Sequence, residues 1–289
     1  MPSFDFESQF RGTIRQGYSH EPLSIRDALL ITDLLPARAD EVLATTRRFL
    51  GRVRALDRAS WRVTTEGDLP IIPDLVASIA ARPPDLIVTY RNLRDLTRLP
   101  RNSLGVYLDT LTQATATPVL VLPVRRSDDP GAVELKQRLV NTDRVMVITD
   151  HLTHDPRLIR YGAEFTENGG TLTLTHIEDE ANFERLMTII SKIPEIDDAL
   201  ARRTIGDRLL KEARDLCETA GDDLEAHDID IRVETYVAFG HTIPAYRELL
   251  VTREIDLLVA DSKAPDRFAM SDLAYAMAIE FINIPILLL

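Results

Sequence analysis

Two α/β units in tandem, each built on a parallel sheet, are what this sequence predicts, and three observations carry the prediction. Short segments recur in the same order in the two parts of the chain. The recurring segments are apolar on both faces and rich in Val, Ile and Leu. Stretches with helical spacing separate them. Strands buried on both faces read as continuous apolar runs, and strands alternating with helices form βαβ units with right-handed crossovers.

The repeat has four parts. Ala28–Asp33 (Ala-Leu-Leu-Ile-Thr-Asp) matches Val145–Asp150 (Val-Met-Val-Ile-Thr-Asp). Asp85–Thr89 matches Asp256–Ala260, and Pro118–Leu122 matches Pro285–Leu289. A weaker match pairs Gly67 with Gly240, each followed within four residues by a proline. One such match is chance; four in one order point to duplication.

In the second copy, strands are predicted over 144–149, 171–177, 229–237, 256–260 and 285–289. Helices are predicted over 155–167, 181–221, 243–253 and 271–281. Leu186, Ile189, Ile190 and Ile193 fall at helical spacing, as do Ile205, Leu209, Ala213, Leu216 and Ala220 on a helix that Gly221 is expected to end. The first copy is shorter, with 34 residues from Asp33 to Gly67 against 90 from Asp150 to Gly240. It lacks about one β–α unit. Two readings follow: 28–32 is the first strand and a later unit is missing, or 28–32 is the second strand and the first unit is missing or replaced by 4–20. The boundaries are 1–124 for the first unit, 125–142 for a connector with a short helix near 133–140, and 143–289 for the complete unit.

The second copy resembles the universal stress protein family. The resemblance rests on Val147-Ile-Thr-Asp150, the helix carrying Leu158, Ile159 and Ala163, the Leu-Thr-Leu-Thr-His-Ile strand over 172–177, and the Val233–Val237 strand running into Gly240. The Asp-Leu-Leu-Val strand and the Pro-Ile-Leu-Leu terminus complete it. It covers nearly all of 143–289 and, more weakly, 26–124. It implies a Rossmann-like, open parallel sheet in the order 3-2-1-4-5, with a ligand site at the carboxyl ends of strands 1 and 4, where the switch-point rule for open α/β sheets also puts one.

Family members that bind ATP carry Gly, two residues, Gly, nine residues, Gly, then Ser or Thr after strand 4; such glycines let the backbone present its amides to phosphate. Here Asp261–Ser271 has no glycine, and neither does Tyr90–Ser103. The cradle is absent from both copies. Asp150 matches the family aspartate that contacts the nucleoside, and Asp33 is its counterpart; without the cradle, such an aspartate reads as a remnant of the fold. A residual ligand site would draw on Asp150, His151, Gly240, His241, Asp261 and Ser262. Arg91, Arg94, Arg98 and Arg101 stand where the first copy's phosphate loop should be. They read either as a solvated loop paired to the acidic second copy or as an anion site in which guanidinium groups replace glycine amides.

Other chemistry is thin. His151, His154 and His241 gather near one sheet edge but match no metal-ligand spacing, and His176 reads as a core or edge histidine. There is no P-loop, dinucleotide fingerprint, nucleophile elbow or zincin motif. The acidic cluster and lysine of a phospho-acceptor receiver are missing. Cys217 is the single cysteine, so an internal disulfide is excluded, and a buried helical thiol is expected.

The formal net charge of −12 argues against non-specific nucleic-acid binding. It is unevenly spread: residues 1–140 carry 19 Lys+Arg and 17 Asp+Glu, residues 141–289 carry 15 and 29. No apolar run approaches the roughly 18–20 residues of a membrane span, and the N-terminal stretch lacks the pattern of a signal peptide, so the expectation is a cytoplasmic protein without membrane contact. Because 285–289 would otherwise be an unpaired apolar edge, it is expected to pair with 118–122 across a pseudo-twofold axis, giving a pseudo-dimer within one chain; a homodimer is also expected. The favoured function is non-catalytic stress-response regulation through an unidentified protein partner or small ligand, with no cofactor. The alternative is nucleotide or anion binding, including ATP or AMP. Hydrolysis of an adenine nucleotide is the third reading, and no nucleophile, base and phosphate cradle coincide to support it.

Overall fold

A computed structural model describes residues 18–94, 103–123, 137, 139–149, 156–193, 196–262 and 270–289. The connector 125–142 lies largely outside them.

The first half runs β1 (Asp27–Ile31), α1 (Pro36–Phe49), a 3-10 turn (Arg54–Leu56), β2 (Ser60–Thr64), α2 (Ile72–Ala81), β3 (Leu86–Tyr90), α3 (Val106–Ala114) and β4 (Val119–Leu122). The second half runs β5 (Arg144–Thr149), α4 (Pro156–Phe165), β6 (Thr171–Asp179), α5 (Glu180–Ile190), α6 (Asp198–Ala226), β7 (Arg232–Gly240), α7 (Thr242–Thr252), β8 (Leu257–Ala260), α8 (Asp272–Glu280) and β9 (Ile286–Leu288). Every residue of β3, β4, β8 and β9 is buried, which is why these stretches carry no polar alternation. Large side chains such as Leu30, Ile87, Leu120 and Phe165 are sealed from solvent, and each such burial contributes roughly 1.5–3 kcal/mol. Asp179, Asp197 and Ser271 start α5, α6 and α8 by accepting main-chain amides with their side chains.

The nine strands of the described residues form one sheet, in the order β2-β1-β3-β4-β9-β8-β5-β6-β7. The second half contributes β9-β8-β5-β6-β7, which is the 3-2-1-4-5 order read from the other end. The first half contributes four strands. There β1 lies between β2 and β3 as β5 lies between β6 and β8, so Asp27–Ile31 holds the first-strand position and β2 sits beside it. Every pairing is parallel except one: β4 and β9 run antiparallel, with Val119 opposite Leu288, Leu120 opposite Leu287 and Val121 opposite Ile286. Antiparallel pairing of two equivalent strands is the geometry of a local twofold axis, here passing between Leu120 and Leu287.

Three sequence expectations change. The helical region predicted over 181–221 is two helices, α5 ending at Ile190 and α6 starting at Asp198, where the Asp197 side chain caps a new N-terminus. Gly221 does not end its helix: α6 continues to Ala226, because a glycine facing Val233 at ordinary contact distance is tolerated inside a helix packed on a sheet. Leu186, Ile189 and Ile193 do not face the core. They are 42%, 58% and 42% exposed on the outer side of α5 and just beyond it, while Phe183 and Met187 take the buried face. Among the described residues no helix is long and apolar enough to cross a membrane.

Candidate functional site

In an open parallel sheet the strand ends at a switch in chain direction leave a crevice, and each half has one. In the first half it lies between the carboxyl ends of β1 and β3, where Thr32, Asp33, Tyr90, Arg91 and Arg94 meet. The Tyr90 hydroxyl donates to Asp33 Oδ1 and accepts from the Asp33 amide at 3.1 Å. The Thr32 hydroxyl lies 3.0 Å from the same phenol oxygen. The other carboxylate oxygen of Asp33 accepts from the Arg94 amide at 2.8 Å. Both oxygens of Asp33 are therefore engaged by this chain. Burial, and after it the hydrogen bond to Asp33, raises the Tyr90 pKa, so the phenol keeps its proton.

The backbone that brings Arg94 there is unusual. Asn92 and Arg94 both have φ of 58°, in the left-handed region. Gly105, at φ 85°, packs against this turn so closely that a Cβ would lie 2.8 Å from the Asn92 Cα. Only glycine fits there.

The arginines separate. Arg91 is 4% exposed. Its Nε donates to the Ala278 carbonyl at 2.6 Å and its Nη1 to the Leu122 carbonyl at 3.4 Å. Ala278 lies in the last turn of α8, whose final carbonyls have no helical partner and favour a cation. Arg91 Nη2 has no hydrogen-bond partner among the described residues, and burial pulls the guanidinium down to about 10. Arg94 instead reaches outward, to the Tyr107 hydroxyl and the Glu66 carbonyl, each at 3.4 Å. Arg98 and Arg101 lie outside the described residues.

In the second half the crevice lies between β5 and β8. Asp150, His151 and His154 lie outside the described residues. Ser262 is 3% exposed and donates both its amide (3.0 Å) and its hydroxyl (2.5 Å) to the Leu289 carbonyl. Asp261 is half-buried, and its carbonyl accepts from the Ser271 hydroxyl at 3.1 Å. Arg91 and Ser262 thus hold equivalent places, each tying down a carbonyl at the end of its own half's final strand, Leu122 as the last residue of β4 and Leu289 as the residue after β9. Gly240 and His241 are not brought to this crevice. In the register Thr149 aligns with His176 and His176 with Val237, so Gly240 lies two strands away and three residues further along. Strand geometry makes that about 10 Å in each direction. His241 caps α7 through its backbone alone.

His176 is buried and pairs with Glu178 at 3.2 Å, and Cys217 is buried with its thiol pushed up to about 12 by burial. Among the described residues no group of three or more His, Cys, Asp or Glu is placed to hold a metal ion. The reading from sequence did not find Tyr90, because tyrosine at a strand end is an ordinary strand residue. Its only signal is position: it follows Thr89 where Asp261 follows Ala260.

Comparison with known proteins gives the fold a name. No family model matches the chain, and no curated protein matches it. Among solved structures, a functionally unknown protein from Pseudomonas aeruginosa PAO1 matches with 13% identity over 92% of this chain and 92% of that chain, at a TM-score of 0.51. A protein assigned to the universal stress proteins, from Pseudomonas aeruginosa UCBPP-PA14, matches with 13% identity over 92% of this chain and 93% of that chain, also at 0.51. The likeness spans both halves, and the fold is that of the universal stress proteins.

Proposed function

We propose that this chain, folded as a tandem universal stress protein, is a non-catalytic stress-response regulator that works by binding and has lost the family's ATP-phosphate cradle. The observation that carries this is the occupation of Asp33. The first crevice holds each oxygen of that carboxylate in a hydrogen bond, one from Tyr90 and one from the Arg94 amide, so a ribose would have to share an acceptor already engaged and oriented by this chain. The glycine-free segments after β3 and β8 support the same reading, because without glycine the backbone cannot approach a phosphate closely. Calorimetric and thermal-shift titration with ATP, AMP and cyclic dinucleotides tests it. The expected result is no heat and no shift with magnesium present. Tight ATP binding, or turnover, would overturn it.

One observation favours a second reading, small-anion binding. Arg91 is a buried cation whose third nitrogen has no partner among the described residues, and no acidic group among them lowers its cost. Sulfate or phosphate would supply the missing acceptor. A rise in melting temperature with phosphate in wild type, absent from Arg91→Met, supports it; equal behaviour of the two removes it.

A further inference from the structure

The sheet has two edges, and they differ. β2 is five residues long, whereas β7 is nine, Arg-Val-Glu-Thr-Tyr-Val-Ala-Phe-Gly, with no proline, lysine or bulge to blunt it. The Arg232 amide donates to Gly170 on the β6 side. Alternate residues of a strand turn their N–H and C=O to the same side, so Arg232, Glu234, Tyr236 and Ala238 face β6. The main-chain groups of Val233, Thr235, Val237 and Phe239 face outward. Among the described residues these four make no hydrogen bond outside the ladder.

Beside the start of this edge runs a cleft of about 620 Å³ between the last turns of α6 and β7. Glu218, Asp222, Glu225, Asp228 and Asp230 line it, with Cys217, Val233 and Thr235 at its wall. None of the five carboxylates has an ion pair or side-chain hydrogen bond among the described residues. Elsewhere on the same half several acids are matched, Glu184 with Arg202, Glu212 with Arg208, Asp215 with Lys211, Glu254 with Arg144 and Glu280 with Arg247, and others such as Asp207 and Glu248 stand singly on the surface, so what marks the five is their convergence on one cleft. The other face of β7 is closed, because Arg253 pairs with Glu234 and lies 5.9 Å over the Tyr236 ring.

We infer that the outer edge of β7 and the acidic cleft beside it dock a basic, extended peptide of a partner protein, added to the sheet as a further strand. The open main-chain groups supply the pairing, and period-two alternation sends every second side chain of the incoming strand toward the carboxylates. Five unpaired negative charges select Lys or Arg at those positions. The same charges disfavour a second copy of this chain, since the half that carries them is itself strongly acidic. The inference deepens the binding reading above by naming the partner's chemistry.

The test is fluorescence anisotropy with an alternating Arg-Val peptide and its Glu-Val twin. The basic peptide should bind, weaken as salt rises from about 0.05 to 0.5 M, and leave the twin unbound. Asp222→Lys/Glu225→Lys, on the helix surface, should weaken binding roughly tenfold or more. Thr235→Pro removes one outward N–H without touching the β6 ladder and should weaken it about as much; circular dichroism checks that both variants fold. No binding of the basic peptide, or binding unchanged in both variants, overturns the inference while leaving the nucleotide result intact. A concentration-dependent dimer abolished by Thr235→Pro overturns it in favour of a second copy.

Discussion

Arg91 of the first half donates its Nε to the main-chain oxygen of Ala278 in the second half, 187 positions away in sequence, at 2.6 Å. The same guanidinium holds the Leu122 carbonyl at the end of β4. Arg91→Met strands both carbonyls in a dry site, a loss only partly offset by removing a buried charge. Urea unfolding should show a destabilisation of about 1–3 kcal/mol. Arg91→Lys should recover little of it, because an ammonium lacks the planar fork that serves two acceptors.

Tyr90→Phe tests the closed crevice. The hydroxyl is shared by the Asp33 carboxylate, the Asp33 amide and Thr32. Its removal should cost about 1–3 kcal/mol, more than for an exposed tyrosine, because partners in a half-buried site lose their hydrogen bonds. Alkaline absorbance titration gives a second readout. Tyr18, Tyr90 and Tyr161 are all raised by burial, so these three should ionise only above the ordinary range of a free tyrosine. The unfolded chain gives up those protons near pH 10, so stability falls as pH rises above that value.

The sequence carried the strands well and the surroundings of the site poorly, and the reason is physical. Val145–Ile148 and Leu257–Ala260 are apolar on both faces because helices cover both faces, and that signal is local. Arg91 and Arg94 are three residues apart and chemically identical, yet one is buried under α8 and the other leans outward. The difference is set by two left-handed residues and by Gly105, none of which leaves a periodic trace. Leu186, Ile189 and Ile193 satisfy helical spacing, but spacing says only that they share a face, not what covers it. The excess acid of residues 141–289 was visible; that five of those carboxylates converge unpaired beside β7 depends on where α6 crosses the sheet.

Glu167 gives a pH dependence with a definite sign. Burial, then the hydrogen bond and charge of Asp143, raise its pKa to about 7, and burial raises the nearby Asp256 to about 6. The folded state holds these protons when the unfolded state has released them, so stability is full below about pH 4.5 and is lost as pH rises through 7. His20 opposes this. Burial outweighs its partner Glu164 and lowers its pKa, so acidification below about 6.5 costs stability there. Comparing Glu167→Gln with wild type isolates the first effect: the variant should gain melting temperature at pH 8 and little or none at pH 5.

Two helical glycines should respond oppositely to alanine. At Gly162 a Cβ would lie 2.3 Å from Val147 Cγ2, so Gly162→Ala forces α4 away from β5 and should cost about 1–3 kcal/mol. At Gly221 the nearest atom is 3.7 Å away, and Gly221→Ala should stabilise by up to about 1 kcal/mol through helix propensity. Thermal unfolding of the pair checks both.

The antiparallel join of β4 to β9 has a consequence for biosynthesis. Leu120 faces Leu287, so the centre of the finished sheet waits for a residue made 167 positions later. At about 5–20 residues per second, β4 stands with an open apolar edge for roughly 10–30 s after it leaves the ribosome. During that interval the nascent chain presents a template for intermolecular strand pairing. Co-translational chaperone protection of that edge, rather than the stability of the finished protein, is where the yield of correctly folded molecules would be decided.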